Sequence, residues 1–468
     1  MSDIRPTKKK REFPNTAVII FLFIVIVAIM TYVVPAGKFG TQIDEETGIE
    51  MVDAEQFERI EQTPVNPFRL FVSIVQGFID GGPVIFLIIF GYFWVFSIVN
   101  SGAFSAGINR LLNSKVKDSK LLIPVIMIVF ALAGSTYGEM DTVYGLIPIF
   151  IGLSIALGYD AILGLCMTSM ATAVGFASAT TNPFTIGIAQ PLAGLPAFSG
   201  LAFRCVIFVV FVSIAIVYTM RYANKIKKDP TKSIVYGDDY STFNFVDKSD
   251  KEKFTTKHKL LLLSMVITVG VIVFGSLKLG WYLNEMSAVF LISGVLIQII
   301  NRKKPNEIGE SLATATAEMA TAIIVVGMSR AILVVLQEGN IIDSVIYALH
   351  LPMKNAPSWI VGILMLFAQN ILNFFIPSGT GQAMAIMPIM TPLADLTGLN
   401  RQIAVLAFQF GDGFSNLIIP NGVCAIMCGI AKVPLNKWYR FFLKLFGIMM
   451  ILEIIFIVIA VAINYGPF

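Results

Sequence analysis

Two stretches decide the fold: GFASATTNPFTIGIAQPLAGLP (175–196) and GFSNLIIPNGVCAIMCGIAKVP (413–434). Each interrupts an apolar run with polar residues and a proline. The first carries Ser178, Thr180, Thr181 and Asn182-Pro183; the second carries Ser415, Asn416 and Pro420-Asn421. A lipid-facing helix gains nothing from such residues, because every freed backbone group in hydrocarbon needs a partner. At a shift of 238, Gly175-Phe176 meets Gly413-Phe414, Ser178 meets Asn416, Ala193 meets Ala431 and Pro196 meets Pro434. Close helix packing explains small residues. It does not explain a matched polar break with proline in both halves. Paired broken helices are a mark of secondary transporters that bind their substrate near the bilayer midplane.

The rest of the chain has the composition this requires. Of 468 residues, 56% are hydrophobic and 14% charged, and the mean hydropathy is +0.78. Soluble domains are closer to a quarter charged. The apolar residues come in blocks near the ~20 residues that cross a bilayer. The longest polar stretch, 223–257, is too short to bury a core of its own. The apolar run after Lys8-Lys9-Lys10-Arg11 is long and ends at Pro35 without a small-residue cleavage site, so it reads as a first span. Cys166, Cys205, Cys424 and Cys428 all lie in apolar runs, and His258 and His350 are elsewhere, which points away from a metal site or disulfides.

The expected spans are 16–34, 83–100, 160–196 (broken), 200–222, 259–277, 283–300, 319–337, 401–434 (broken) and 437–463. Two runs, 121–157 and 358–396, read as re-entrant hairpins, each two half-spans around a Gly-rich polar centre. With those hairpins the basic clusters share one side: residues 8–11, Arg110 to Lys120, Arg221 to Lys228, Arg302-Lys303-Lys304 and Lys437 to Lys444. The positive-inside rule makes that side cytoplasmic. The acidic loop 35–65 and the C-terminus then fall outside. The fold class expected is an all-α polytopic membrane protein with two inverted-topology repeats. A basic N-terminus (1–15) precedes the first repeat, 16–222. A cytoplasmic linker, 223–258, and a linking helix, 259–277, lead to the second repeat, 283–463.

At each break two half-helices meet. Their N-termini favour carboxylates and their C-termini favour cations. Substrate-binding candidates are Ser135 and Thr136 at the first hairpin tip, Ser378 and Thr380 at the second, and Asn182 and Asn421 at the breaks. Ser178, Thr180, Thr181, Ser415 and Asn416 are candidates for an ion or for capping the broken helices. Charges inside the membrane are costly and default to function. Glu139 and Asp141 follow the first tip, but on an intact helix they would not share a face. Asp412 precedes the second break. Arg330 lies about 16 Å along the 319–337 span at ~1.5 Å per residue. It is placed either to clamp a substrate carboxylate or to pair with Asp412 or Glu453. Arg204 and Asp80 read as interfacial and solvated.

The opening PNTAVIIFLFIVIVAIMTYVVPAGKF, the hairpin YGEMDTVYGLIPIFIGLSIALGYD and SATTNPFTIGIAQPLAG resemble YfcC-type members of the anaerobic C4-dicarboxylate carrier family, within the wider ion-transporter superfamily. The similarity runs essentially end to end. It implies two inverted repeats of five segments, two re-entrant hairpins, elevator-type alternating access and a homodimer. Sodium–dicarboxylate members of that superfamily bind Na⁺ and carboxylate with Ser-Asn-Thr tips. Here the tips are Gly134-Ser135-Thr136 and Ser378-Gly379-Thr380, which keep hydroxyls and lack the Asn. YfcC-type relatives are described as amino-acid carriers, arginine–ornithine exchangers among them.

The reading is therefore a plasma-membrane secondary transporter for amino acids, cationic ones first, working by exchange or by symport with Na⁺ or H⁺. It needs no other cofactor and no nucleic acid. Its partners are a small-molecule substrate, the lipid bilayer and a second copy of itself. The alternative keeps the architecture and carries a C4-dicarboxylate or other carboxylate, gripped by Arg330. A membrane aspartyl protease using Asp160 and Asp412 is the enzyme alternative. However, Gln409-Phe410-Gly411-Asp412 falls short of a Gly-x-Gly-Asp motif, and neither HExxH nor GxSxG occurs. A channel is disfavoured by the paired occluding hairpins.

Overall fold

The computed structural model describes residues 16–43, 50–112, 121–136, 138, 140–243, 255–353, 356–420 and 422–466. The chain begins with α1 (Thr16–Val33), then β1 (Gly37–Ile43) and β2 (Glu50–Arg59). Helices α2 (Pro67–Asp80), α3 (Gly82–Val99), α4 (Ala103–Leu112), α5 (Leu122–Thr136) and α6 (Ile147–Ala156) follow. The first broken segment is α7 (Ala161–Leu165), a π turn over Cys166–Met170, α8 (Ala171–Ala177) and α9 (Ile186–Leu192), followed by α10 (Leu201–Lys228). Beyond the linker come α11 (Thr256–Leu279), α12 (Leu283–Ile300), α13 (Pro305–Glu318), α14 (Ala320–Glu338) and α15 (Ile342–His350). The chain closes with α16 (Ser358–Phe375), α17 (Gly379–Leu396), α18 (Arg401–Gly413), α19 (Val423–Ile430) and α20 (Leu435–Ala462).

Seven helices among the described residues are long and apolar enough to cross a membrane: α1, α3, α10, α12, α14, α16 and α20. Helix α11 covers the expected 259–277 stretch. The 160–196 and 401–434 segments are broken where the polar residues fall, at 178–185 and after Gly413. Helix α16, expected as half a span, has 18 residues. At ~1.5 Å each they reach about 27 Å, close to a full crossing. The linker is shorter than expected, because α10 runs on to Lys228. Lys225, Lys227 and Lys228 fill its last turn, where cations complement the helix dipole.

The expectation of an all-helical chain needs one correction. The acidic loop folds as an antiparallel hairpin of β1 and β2, with an irregularity between Phe39 and Gly40. Phe57 stacks on Tyr347 of α15 at 4.2 Å between ring centroids, and Phe39 meets Phe57 edge-on at 5.2 Å. The Phe39 N–H donates to Asp343 at 3.1 Å. These contacts with α15 give a short, acid-rich hairpin the packing it lacks alone.

The helices pack as two groups. In the first, α3 lies along α12 and α13, α14 along α1 and α2, and α11 along α4 and α12. In the second, α5 and α10 pack on α8, α16 on α18, α17 on α9 and α18, and α20 on α16, α18 and α10. The groups meet where α3 crosses the 3₁₀ turn Asp141–Leu146 and where α14 touches α19. At the first crossing Gly91 faces Gly145, and a Cβ on Gly91 would lie 3.0 Å from the Gly145 Cα. Inside the second group a Cβ on Gly175 would strike the Ala131 carbonyl, and one on Gly411 would strike Gln369. Glycine therefore sets the spacing of both the α5–α8 and the α16–α18 crossings.

The order of elements recurs along the chain. Helices start at Pro67 and Pro305, Gly82 and Ala320, Ala103 and Ile342, Ala161 and Arg401, and Ile186 and Val423. Every one of these pairs is 237 to 240 residues apart.

Candidate functional site: a charged cavity between the helix groups

The two breaks are anchored in the same way. Near the end of α5, the Ser135 hydroxyl donates to the Ser178 carbonyl at 3.1 Å and sits 3.0 Å from the Thr180 hydroxyl. The Ser135 carbonyl accepts the N–H groups of Thr180 and Thr181 at 3.0 and 3.2 Å. Near the end of α16, the Asn373 amide donates to Ser415 Oγ at 2.6 Å and to Asn416 Oδ1 at 3.1 Å. Asn373 thus does for the second break what Ser135 does for the first. The sequence does not single out Asn373, because a neutral amide in an apolar run carries no pattern of its own.

Between the groups lies a cavity of about 110 Å³. Asp141, Arg330, Ser378, Thr380, Asp412 and Asn416 line it, together with Gly138, Gly379, Phe176, Phe184 and Tyr282. Six expected site residues therefore come together. Asp412 is 1% exposed, and its Oδ2 has no hydrogen-bond partner among the described residues. Its backbone carbonyl accepts from Asn416 Nδ2. Asp141 lies within electrostatic reach of Arg330 and beside Tyr144. Arg330 forms no ion pair among the described residues, so the expected structural pairing with Asp412 or Glu453 is absent. Glu453 is fully buried away from the cavity, and neither carboxylate oxygen has a hydrogen-bond partner among the described residues.

Helix α17 points its N-terminus at this cavity. Ser378 caps it by accepting the Gly381 N–H at 3.3 Å. As at every helix start, the Gly379 and Thr380 amides have no intrahelical partner. They add a partial positive charge to the cavity. The Thr380 hydroxyl donates to the Phe184 carbonyl at 2.9 Å, joining the second tip to the first break.

The other expected residues mostly hold the chain together. Thr136 is exposed and donates to the Leu132 carbonyl at 2.7 Å, an ordinary back-bond within α5. Thr181 is half-buried and reaches the Thr136 carbonyl at 3.4 Å. Ser178 and Ser415 are buried and donate to Val174 and Gly411, one turn back in their own helices. Asn182 is buried, and its Oδ1 accepts the Phe184 N–H at 2.9 Å. Its side chain abuts Gly138, a cavity residue, and its Nδ2 has no partner among the described residues. Glu139 and Asn421 lie outside the described residues. Asp160, the protease candidate, caps α7 by accepting the Leu163 N–H at 3.0 Å. It also accepts from the Tyr222 and Ser233 hydroxyls.

Sequence reasoning missed the aromatic wall. Phe184 and Tyr282 stand 6.0 Å apart and face the cavity from opposite helix groups. It also missed two buried amides, Gln369 and Gln409. Gln382 donates to Gln369 Oε1 at 2.7 Å, and Gln409 donates to the Phe176 carbonyl at 2.6 Å. Arg204 is corrected too: it is 1% exposed, not solvated, because the turn at Gly200 brings Tyr465 over it. The Tyr465 hydroxyl donates to the Gly200 carbonyl at 2.7 Å.

The family model for the C4-dicarboxylate anaerobic carrier matches residues 13–462. The chain belongs to that family. This is a family of membrane carriers, not of enzymes. Among curated proteins, the chain is 29% identical to the Escherichia coli protein named "Putative basic amino acid antiporter YfcC", over 99% of this chain and all of that one. It is 26% identical to an uncharacterized protein of Haemophilus influenzae, over 98% of this chain and 99% of that one. Two solved transporters align with a TM-score of 0.43 each. The Alcanivorax borkumensis YdaH transporter is 15% identical over 97% of this carrier, and Neisseria gonorrhoeae MtrF is 16% identical over 96%.

Proposed function

We propose that this carrier exchanges cationic amino acids across the plasma membrane by alternating access, with or without coupling to Na⁺ or H⁺. The observation that carries the reading is the charge of the cavity, in which Asp141 and Asp412 face one guanidinium, Arg330. Two carboxylates against one cation suit a substrate with more positive than negative groups. The amine groups would lie at Asp412 and Asp141, and the substrate carboxylate at the Gly379 and Thr380 amides. Phe184 and Tyr282 would stack on the substrate stem and its cation. At about 110 Å³ the cavity is below the ~300–1,000 Å³ usual for drug-sized ligands, which fits a small polar solute. The name of the Escherichia coli relative supports the same substrate class.

The architecture belongs to the proposal. The recurring helix starts and the paired Ser135 and Asn373 anchors support two inverted repeats, 16–222 and 283–463, with re-entrant hairpins at 121–157 and 358–396. The division into two helix groups supports an elevator in which the group carrying Asp141 and Asp412 moves along the other. The charge clusters support a cytoplasmic N-terminus and an extracytoplasmic C-terminus. The family resemblance supports a homodimer.

A second reading, a carboxylate substrate gripped by Arg330, is favoured by one observation: that guanidinium faces the cavity with no ion pair among the described residues. Counterflow separates the two. Liposomes preloaded with unlabelled ornithine should accumulate labelled arginine, and Asp412→Asn should abolish it. Accumulation of labelled malate by malate-loaded liposomes, unaffected by Asp412→Asn, would establish the second reading instead.

A further inference from the structure

The charges lining the cavity belong to different bodies. Arg330 stands in the middle of α14, which α1 and α2 hold on one flank. Asp141 opens the 3₁₀ turn that follows α5, and Asp412 ends α18 next to the second break. Both carboxylates therefore belong to the helix group that also carries Ser378, Gly379 and Thr380. Tyr282, at the start of α12, lies on Arg330's side. The binding site is thus split: its acidic part is covalently fixed to one group, and its basic residue to the other.

A shift of one group along the other must draw Arg330 away from Asp141, the carboxylate within its electrostatic reach. In a poorly screened interior, parting opposite charges is strongly opposed unless each finds a new partner. For the carboxylates, a bound amino acid with a cationic side chain is that partner. Once it is seated, it neutralises Asp141 and Asp412, and the pull of Arg330 on Asp141 falls away. A ligand can drive a conformational change only through such differential interaction with the two states. With the cavity empty no replacement exists, and the guanidinium is the cation that remains.

We infer that Arg330 is a tethered stand-in for the substrate's cation, holding the unloaded carrier in place and thereby making transport an obligatory exchange. The inference rests on the cationic-substrate reading. It gives Arg330 a task in the empty state, and the substrate carboxylate stays with the α17 N-terminus. The wild-type carrier then returns across the membrane only when reloaded, and the coupling needs no second ion.

The test follows labelled arginine leaving preloaded proteoliposomes, into plain buffer or into buffer with unlabelled arginine. Wild-type release is expected to be at least about tenfold faster with external arginine, the signature of a strongly disfavoured empty return. In Arg330→Gln and Arg330→Met, chosen so that one can serve if the other folds poorly, release into plain buffer rises. The difference then shrinks to within about twofold, as expected when the coupling energy is removed. Half-saturating arginine is no higher than in the wild type. Arg330→Lys keeps a tethered cation and keeps the dependence on external arginine. The inference alone is overturned if the neutral variants still require external arginine as strictly as the wild type. The same holds if they lose exchange and net release together, since Arg330 would then be a substrate contact. A well-folded wild type that exchanges no arginine would overturn both this inference and the reading beneath it.

Discussion

Gly379 at the start of α17 and Asp412 near the end of α18 are close neighbours: a Cβ built on Gly379 would lie 2.7 Å from the Asp412 Oδ2 and 2.7 Å from the Thr185 Cγ2. The first residue of α17 therefore has to be small for the buried carboxylate to keep its place. Gly379→Ala is expected to lower uptake at least about tenfold, since a displacement near 1 Å at a binding group commonly costs that much or more. The protein should still reach the membrane in normal amount. Uptake normalised to surface expression checks this, and unchanged uptake would show that the carboxylate is free to move aside.

Asp412→Asn keeps the shape of the side chain and its place beside Asn416 but removes its charge. Loss of a charged contact to a cationic substrate should weaken binding by roughly 1.5–3 kcal/mol, about ten- to a hundredfold. Substrate-induced thermal shifts of the purified protein give the number. Asp141→Asn should act in the same direction.

Asp160 ties the α6–α7 turn to α10 through Tyr222 and to the segment after α10 through Ser233, 2.6 Å away. Nearby, Asp238 pairs with Lys437 of α20 at 2.5 Å. Asp160→Ala leaves two hydroxyls and the start of α7 without their acceptor, and should cost about 2–4 kcal/mol of stability. Asp160→Asn, which keeps a cap oxygen, should cost less. Unfolding midpoints of the two variants in detergent decide it. A protease would instead lose a cleavage product, and none is expected.

Outside the seven spans, burial holds the Asp343 carboxyl above its ordinary range, against the lowering effects of the Phe39 N–H and of Lys38. The folded protein therefore binds this proton more tightly than the unfolded chain does. The sign follows: stability is lost as pH rises from the unfolded pKa through the raised one, by at most about 1.4 kcal/mol per pH unit. Asp343→Asn removes the charge and keeps an oxygen for Phe39. The variant should unfold later than the wild type near pH 7, and the gap should close towards about pH 4.

How much of this was legible in the sequence depended on whether a residue violated its surroundings. Asn182-Pro183 and Asn416 stood out because hydrocarbon tolerates such residues only where they line a site or cap a helix. Asp141, Arg330 and Asp412 stood out for the same reason, and all three line the cavity. Asn373 and Gln409 did not stand out, since one amide in an apolar helix looks like packing until its partner 42 residues or more away is known. The β1–β2 hairpin was hidden because acidic residues disfavour strands, and the ring that stacks on it, Tyr347, lies far along the chain. Arg204 was misread because its position four residues into α10 suggests an interface, whereas the C-terminal Tyr465 roofs it.

One contact described above bears on speed. Where α3 passes the turn that carries Asp141, Gly91 and Gly145 present bare backbone to each other, so no side-chain ridge sits in a groove at that point. Interlocked ridges would have to unmesh before one helix group could travel along the other; two flat surfaces need only glide. On the elevator reading proposed above, the same turn would offer low friction at Gly145 and a charged latch at Asp141, four residues apart. A carrier built in this way separates permission to move from ease of moving, and its turnover could change through methyl groups at Gly91 or Gly145 without any change in what it recognises.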